Sequence, residues 1–291
     1  MDFVSQHNRG TSRPLVGRDG MLRNVMWRLG RHESLVVFGG PKLGKSSFLL
    51  DLNQRLDRDA MTSRYLDLDN ADDQEMLLAV VPDPPIGIYL LDNCDALCEK
   101  KGTIRDFLSH SSGLRVVMAG GRRWHDEVSV NGWASELRRI PLAVLLDKDA
   151  RQLVCASHLN EQVESILALA GTHPYVLNVL CAQDRDFNAD ADVAAVWSEV
   201  SEMLAPFFLN VVQQLKTPIE HRLLHYLVRL AAPVNPQIAA EALEQTTLKA
   251  VADMLSWLGV ISRCIRNDEA TLFANSALFN LWYVEHVAGR S

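Results

Sequence analysis

The sequence predicts an α/β fold: a parallel-sheet core built around a phosphate-binding loop, followed by an α-helical segment and a winged helix. Three observations predict it. Short apolar runs bounded by turn residues alternate with helical patterns through the first half of the chain, as in a parallel sheet covered on both faces. Between the first run and the first helix stands "GGPKLGKS", Gly39 to Ser46, which fits the spacing G-x-x-x-x-G-K-[ST]. After residue 147 the strand signal stops, and the chain ends on three helices and a hairpin.

The elements follow in order. Strands are expected at 34–39, 63–69, 86–92, 114–120 and 140–146, with helices at 45–56 and 104–110 among them. Helical spacing then covers 147–158, 159–171 and 173–184, where Gly171 and Pro174 mark a break, and a long helix runs through 196–208. Further helices are expected at 219–231, at 235–245 with Asn235 as N-cap and Pro236 at the first helical position, and at 246–259. Thr246 or Thr247 opens the last of these and Gly259 closes it. A hairpin of 260–265 and 271–275 turns at "RNDE", and a terminal helix starts at Ser276. The expected organisation is a flexible N-terminus (1–13), a P-loop ATPase core (14–146), a helical lid (147–205) and a winged-helix domain (206–291).

Composition bounds the function. The chain has 291 residues, 48% hydrophobic and 22% charged, the balance of a protein that buries a substantial core. A formal net charge of -7 excludes a chain-wide basic footprint for nucleic acid and leaves room only for a local one. The opening "MDFVSQHNRGTSRP" lacks the apolar stretch of a signal peptide, and nothing approaches the roughly 18 to 20 apolar residues of a membrane span, so a cytoplasmic location is expected. Five cysteines without a CxxC pair point to neither disulfides nor zinc, and Cys94 and Cys98 are expected to be buried, inert thiols.

The chemistry is expected in the loop of Gly39, Gly40, Pro41, Lys42, Leu43, Gly44, Lys45 and Ser46. Its glycines let successive N–H groups face phosphate oxygens, and the positive end of the helix that opens at Lys45, Ser46 and Ser47 points at the same place. Lys45 is expected to reach the β- and γ-phosphates of a nucleotide, and the Ser46 hydroxyl to join the Mg²⁺ shell. A plain glycine-rich turn is the simpler reading, but it gives way because an apolar strand precedes the loop and an amphipathic helix follows. "IYLLDNCD" ends a strand in Asp92, placed to hold Mg²⁺ through water at the carboxyl edge of the same sheet. Beside it stands Asn93, which is no base at neutral pH. Asp95 either substitutes at a distance or caps the helix that follows. Arg122 and Arg123, after the fourth strand, either contact a γ-phosphate, in cis or across a subunit interface, or are solvated loop charges.

The order "PLVGRDGMLRNVMWRL", "VVFGGPKLGKSSFLL", "IYLLDNCDAL", "VVMAGGRRW", "IPLAVLLDKDARQLV", "ALAGTHPYVLNVLC" and a winged helix is similar to the STAND class of signal-transduction ATPases. The resemblance extends to their archaeal-type relatives, which share ancestry with origin-recognition AAA+ proteins. It implies that Val16, Gly17 and Arg18 lie against adenine, and that Gly171 and Pro174 belong to a lid motif closing over base and ribose. On the residues alone, "AGTHP" is a helix C-cap followed by a helix start. The chain departs from the class at Asn93 and in lacking a Met-His-Asp motif; His286 either reaches the site or is a packed or solvated helix residue.

The resemblance implies a nucleotide-controlled switch with ATP or ADP and Mg²⁺ as cofactors. ATP would clamp the lid and winged helix on the core, with hydrolysis slow. With no effector or sensor of its own, it would act through oligomer formation or a separately encoded protein partner, as in a bacterial stress or phage-defence system. The alternative is a DNA-binding ATPase resembling initiators or transposition regulators. Lys249 is the only basic residue of helix 246–259, and Arg263 and Arg266 lie on the wing, a thin supply for phosphate contacts. A motor or kinase is disfavoured by Asn93.

Overall fold

The computed structural model describes residues 15–79, 87–99, 114–130, 137–157, 159–183, 185–187, 192–266 and 269–288. The helix expected at 104–110, the N-terminus 1–13 and the tip of the "RNDE" turn lie outside them.

Alternation along each apolar strand builds the core domain. In β1 (Leu35–Phe38), Leu35 and Val37 join one hydrophobic cluster while Val36 and Phe38 join another on the opposite face. β3 (Ile88–Asp92) and β4 (Arg115–Gly120) divide in the same way. One face is covered by α1 (Asp19–Gly30) through Leu22, Val25 and Leu29, and by α2 (Lys45–Arg58) through Phe48, Leu49, Leu52 and Leu56. The other is covered by Leu77 of α3 (Ala71–Ala79) and by Trp124 and Val128 of α4 (Arg122–Val130). With β2 (Ser63–Asp67) and β5 (Arg138–Pro141) the strands run parallel in the order β2-β3-β4-β1-β5. The loop after β1 and the carboxyl ends of β3 and β4 therefore share one edge.

The fifth strand ends earlier than its apolar pattern predicts, at Pro141 rather than at 146. Leu142 N–H still bonds Phe38 O at 2.6 Å, but Leu145 N–H bonds Thr172 O at 3.0 Å. The run leaves the sheet to bury Leu142 in the sheet core and Leu145 in the next one. Apolarity over 140–146 thus reflects two cores rather than one strand.

Helices α5 (Asp147–Cys155), α6 (Val163–Ala170), α7 (Pro174–Cys181) and α8 (Val193–Gln213) form the segment after the sheet. The winged helix follows as α9 (Pro218–Leu230), α10 (Pro236–Ala242), α11 (Lys249–Leu258), β6 (Ile261–Arg266), β7 (Glu269–Ala274) and α12 (Ala277–His286). β6 and β7 pair antiparallel, and Val234 adds a bridge to Leu272. Asn235 caps α10 through Gln237 N–H, and Gly259 ends α11 at φ 83°. The boundary at 205/206 falls inside α8, which runs 21 residues through Pro206. The chain turns instead at 214–217, and one hydrophobic cluster spans both sides of α8. Lid and winged helix share a core because α12 packs on both α8 and α6.

The turn between α6 and α7 is stitched to the winged helix. Thr172 N–H and Ser262 Oγ donate to Asn275 Oδ1, and Ser276 Oγ donates to Leu169 O at 2.8 Å. Gly171 makes this approach possible at φ 63°, where a Cβ would stand 1.5 Å from Asn275 O. Gly171→Ala is therefore expected to destabilise the protein by at least roughly 3 kcal/mol, through positive φ and backbone overlap together. Urea unfolding followed by circular dichroism checks this.

Candidate functional site

The loop from Gly39 to Ser46 connects β1 to α2 with Lys42 at φ 59° and Gly44 at φ 91°, turns that present main-chain N–H groups to an anion. Gly39 and Gly40 are buried; a Cβ on Gly39 would stand 2.7 Å from Leu142 O and one on Gly40 2.5 Å from Leu258 O. Lys45 Nζ donates to the carbonyls of Gly39 (2.9 Å) and Gly40 (2.8 Å). Burial pulls its pKa down, opposed by the charges of Asp95 and Asp92. Ser46 and Ser47 are exposed at the start of α2, Leu43 is buried, and Pro41 is half-buried.

Asp92 is 1% exposed. Its Oδ2 accepts from the Tyr65 hydroxyl at 2.8 Å and its Oδ1 from Asn93 N–H at 2.9 Å. Burial, then the Asp92 charge, pushes the Tyr65 pKa up, so the phenol stays a donor. Asn93 adopts φ 54°, a left-handed conformation that Asn tolerates, and Nδ2 donates to Asp67 Oδ1 at 2.9 Å. Asp67 lies level with Asp92 on the adjacent strand. Burial, then the charges of Asp67, Asp92 and Asp95, push the Asp69 pKa up from its ordinary value.

Asp95 caps a helix, but not the one that follows it. Its Oδ2 accepts from Gly121 N–H at 2.5 Å and its Oδ1 from Trp124 N–H at 2.9 Å, so it caps α4 across the sheet edge. Among the described residues no group of three or more His, Cys, Asp or Glu is arranged to hold a metal. The donor set nevertheless fits Mg²⁺, which takes one or two protein ligands and completes its shell with water and phosphate oxygens. Ser46 and Asp92 are the residues that would hold it.

Arg122 and Arg123 differ. Arg123 is 55% exposed and pairs with Glu99, a solvated charge. Arg122 is 10% exposed; its Nε donates to Asp126 Oδ1 at 3.1 Å and its Nη1 to Glu220 Oε1, in α9, at 3.0 Å. In this arrangement the guanidinium is held by carboxylates. His286 is half-exposed, bonds Trp282 O and stacks on the Trp282 ring.

The structure brings the N-terminal box to the lid. Val16 packs on the lid core, a Cβ on Gly17 would meet Asp149, and buried Arg18 donates through Nη2 to Ala143 O. His173 is the N-cap of α7 with Pro174 at the first helical position; its Nδ1 accepts from Tyr175 N–H at 3.2 Å. Lys42 Nζ lies 5.8 Å from the Tyr175 ring centroid, linking the loop to the same helix. His173 Nε2 is buried without a hydrogen-bond partner among the described residues and faces a cavity of about 10 Å³, room for roughly one water.

The winged helix sits on the loop itself. Gly40 N–H donates to Trp257 O at 2.6 Å, Leu43 packs at Gly259, and His125 of α4 lies edge-on between Phe38 and Trp257 at 4.9 and 4.8 Å. Sequence patterns gave no warning of Tyr65, Asp67, Glu220 or Trp257 at this site.

Comparison with solved structures decides the fold. Over 92% of this chain and 95% of the other, it is similar to a Walker-type ATPase of Pyrococcus abyssi, at 12% identity and a TM-score of 0.57. The fold is that of a Walker-type ATPase. Looser likenesses are to a point mutant of Thermotoga maritima RuvB (12% identity, 93% and 95% covered, TM-score 0.48) and to domain III of the Thermotoga maritima replication initiation protein DnaA (14%, 69% and 93%, TM-score 0.44). Neither a protein-family model nor a curated protein matches the sequence.

Burial, with Arg18 adding to it, pulls the His173 pKa down from 6.5 to about 3. The unfolded chain takes up this proton first, so the stability contributed by neutral His173 is present above about pH 6.5 and is lost as pH falls toward about 3. His173→Asn, which keeps an N-cap acceptor, should flatten the acid limb between pH 6 and 4.5 by roughly 1.4 kcal/mol per pH unit in urea titrations.

Proposed function

We propose that the chain is a nucleotide-binding molecular switch of STAND-like, AAA+-related type, whose winged helix reads the state of the phosphate loop. The observation that carries this reading is the Gly40 N–H bond to Trp257 O. A loop of phosphate-binding type and a helix from another domain are joined by a main-chain hydrogen bond, so reshaping one strains the other. ATP or ADP with Mg²⁺ is the ligand. Gly39 to Ser47 take the phosphates, Ser46 and Asp92 the Mg²⁺, and Val16, Gly17, Arg18 and Pro174 the base and ribose.

Hydrolysis is slow in this reading. Asn93 stands where a water-activating carboxylate would be needed, and its amide is engaged in holding Asp67. The output is a change in self-assembly or in binding to a separately encoded protein, such as an effector in a bacterial stress or phage-defence system. Direct DNA reading by α11 is the second reading, and two features weigh against it. Its last turn faces the loop, and Lys249 is its one cation. No helix among the described residues is long and apolar enough to cross a membrane.

Native mass spectrometry of the purified chain is expected to show one bound adenine nucleotide, lost in Lys45→Ala. No bound or bindable nucleotide in the wild type sinks the reading. ATP turnover should fall below the roughly 1 s⁻¹ floor of typical enzymes. A salt-sensitive duplex affinity in fluorescence anisotropy would instead favour the DNA-binding alternative.

A further inference from the structure

The charges around Arg122 have a geometry that packing alone does not require. α4 begins two residues beyond β4, whose Gly120 lies level with Phe38 of β1, so Arg122 leaves the sheet at the edge where the phosphate loop begins. Its guanidinium is nearly buried, as is its partner Glu220, at 10% and 5% side-chain exposure. Glu220 belongs to the winged helix. Its Oε2 completes the capping box of α9, accepting from Lys216 N–H at 2.7 Å and Thr217 N–H at 3.2 Å, which leaves Oε1 to Arg122. Lys216 Nζ, just before α9, reaches back to Asp126, so two ion pairs, Arg122 with Glu220 and Lys216 with Asp126, clasp the start of α9 to α4. A carboxylate and a phosphate oxygen make the same kind of charge-assisted bond to a guanidinium, and one Nη1 cannot serve both well.

We propose that Glu220 determines how the site tells a nucleoside triphosphate from a diphosphate: it holds Arg122 as an internal stand-in for the terminal phosphate, and Arg122 exchanges one for the other. The inference rests on the nucleotide-binding reading above. With a diphosphate, Arg122 stays on Glu220 and the winged helix stays docked. With a triphosphate, Arg122 turns to the added phosphoryl group and Glu220 is left as a buried carboxylate without that partner. Such a charge is relieved by moving to water. The first turn of α9 then lifts from α4, and the Gly40 to Trp257 bond goes with it. This runs opposite to a clamp tightened by ATP.

The test compares AMPPCP with ADP on the full chain. Glu220→Gln removes the charge and keeps the capping box, in which Gln serves as well as Glu. It should bind AMPPCP about tenfold more tightly than the wild type in isothermal titration, with ADP affinity within about twofold. Arg122→Gln should bring the two nucleotides to similar affinity. Amide hydrogen exchange over 216–230 should quicken with AMPPCP but not with ADP in the wild type, and be fast without nucleotide in Glu220→Gln. Equal shifts for both nucleotides, or exchange over 216–230 indifferent to AMPPCP, overturn the proposal. If the wild type binds both nucleotides in a Lys45-dependent way while Glu220→Gln changes nothing, this inference alone falls; if the wild type binds neither, the nucleotide-binding reading falls with it. Should Glu220→Gln fail to fold, Arg122→Lys, which keeps the charge but loses the planar fork, is expected to lower the AMPPCP to ADP affinity ratio. An unchanged ratio counts against the proposal.

Discussion

Two backbones in contact, the phosphate loop and the end of α11, set the arrangement on which the rest of the molecule depends. Gly40 permits it, since any side chain there would overlap the Leu258 carbonyl. Once the two chains touch, Leu43 has to pack at Gly259, and His125 fills the gap between Phe38 and Trp257. Burial pulls the His125 pKa down, opposed by the hydrogen bond between its Nδ1 and Asp126 Oδ1. Glu220 and Lys216 then lie against α4, where Arg122 and Asp126 supply the opposite charges. Buried charges such as those of Arg122 and Glu220 persist only when paired, and this pair runs across domains.

The same constraint organises the acidic edge of the sheet. Lys45 is held by loop carbonyls with Asp95 and Asp92 nearby, and each of those aspartates is itself fixed, one by Tyr65 and Asn93, the other by the first turn of α4. Asn93 is thereby more than a missing glutamate. Its left-handed backbone and its bond to Asp67 tie the ends of β2 and β3 together. Glu would pay a backbone penalty at that φ and add a fourth negative charge beside Asp67, Asp92 and Asp69.

How much was legible follows from the range of the interactions. The central strands β1, β3 and β4 were readable because burial on two faces leaves unbroken apolar runs, and the loop because glycine spacing is dictated locally. The fifth strand was misplaced because Leu142 to Leu145 are apolar for two different cores. Helical spacing over 196–208 already ran past Pro206, but the division at 205/206 cuts through that helix, because the shared burial of Leu204, Phe207 and Phe208 that ties its two halves into one core is not a local pattern. α3 and α4 carry polar sequences whose helicity is set by caps and by packing on the sheet, Asp95 among them. Arg122 could be placed at the right edge, but its partner Glu220 is 98 residues away, beyond any local pattern.

The core shared between the four helices of the lid and the winged helix has a mechanical consequence. At about 1.5 Å per residue the 21 residues of α8 span roughly 31 Å, and both groups of helices pack along that length. They form one body joined to the sheet domain by the stretch from Leu142 to Leu146 and by the contacts at Val16, Gly40 and Arg122. Tilting such a body by about 10° carries its far end through roughly 5 Å, the rise of a whole helical turn. Any such tilt has to disturb the contacts at Gly40 and Arg122 together, because both join the same body to the sheet.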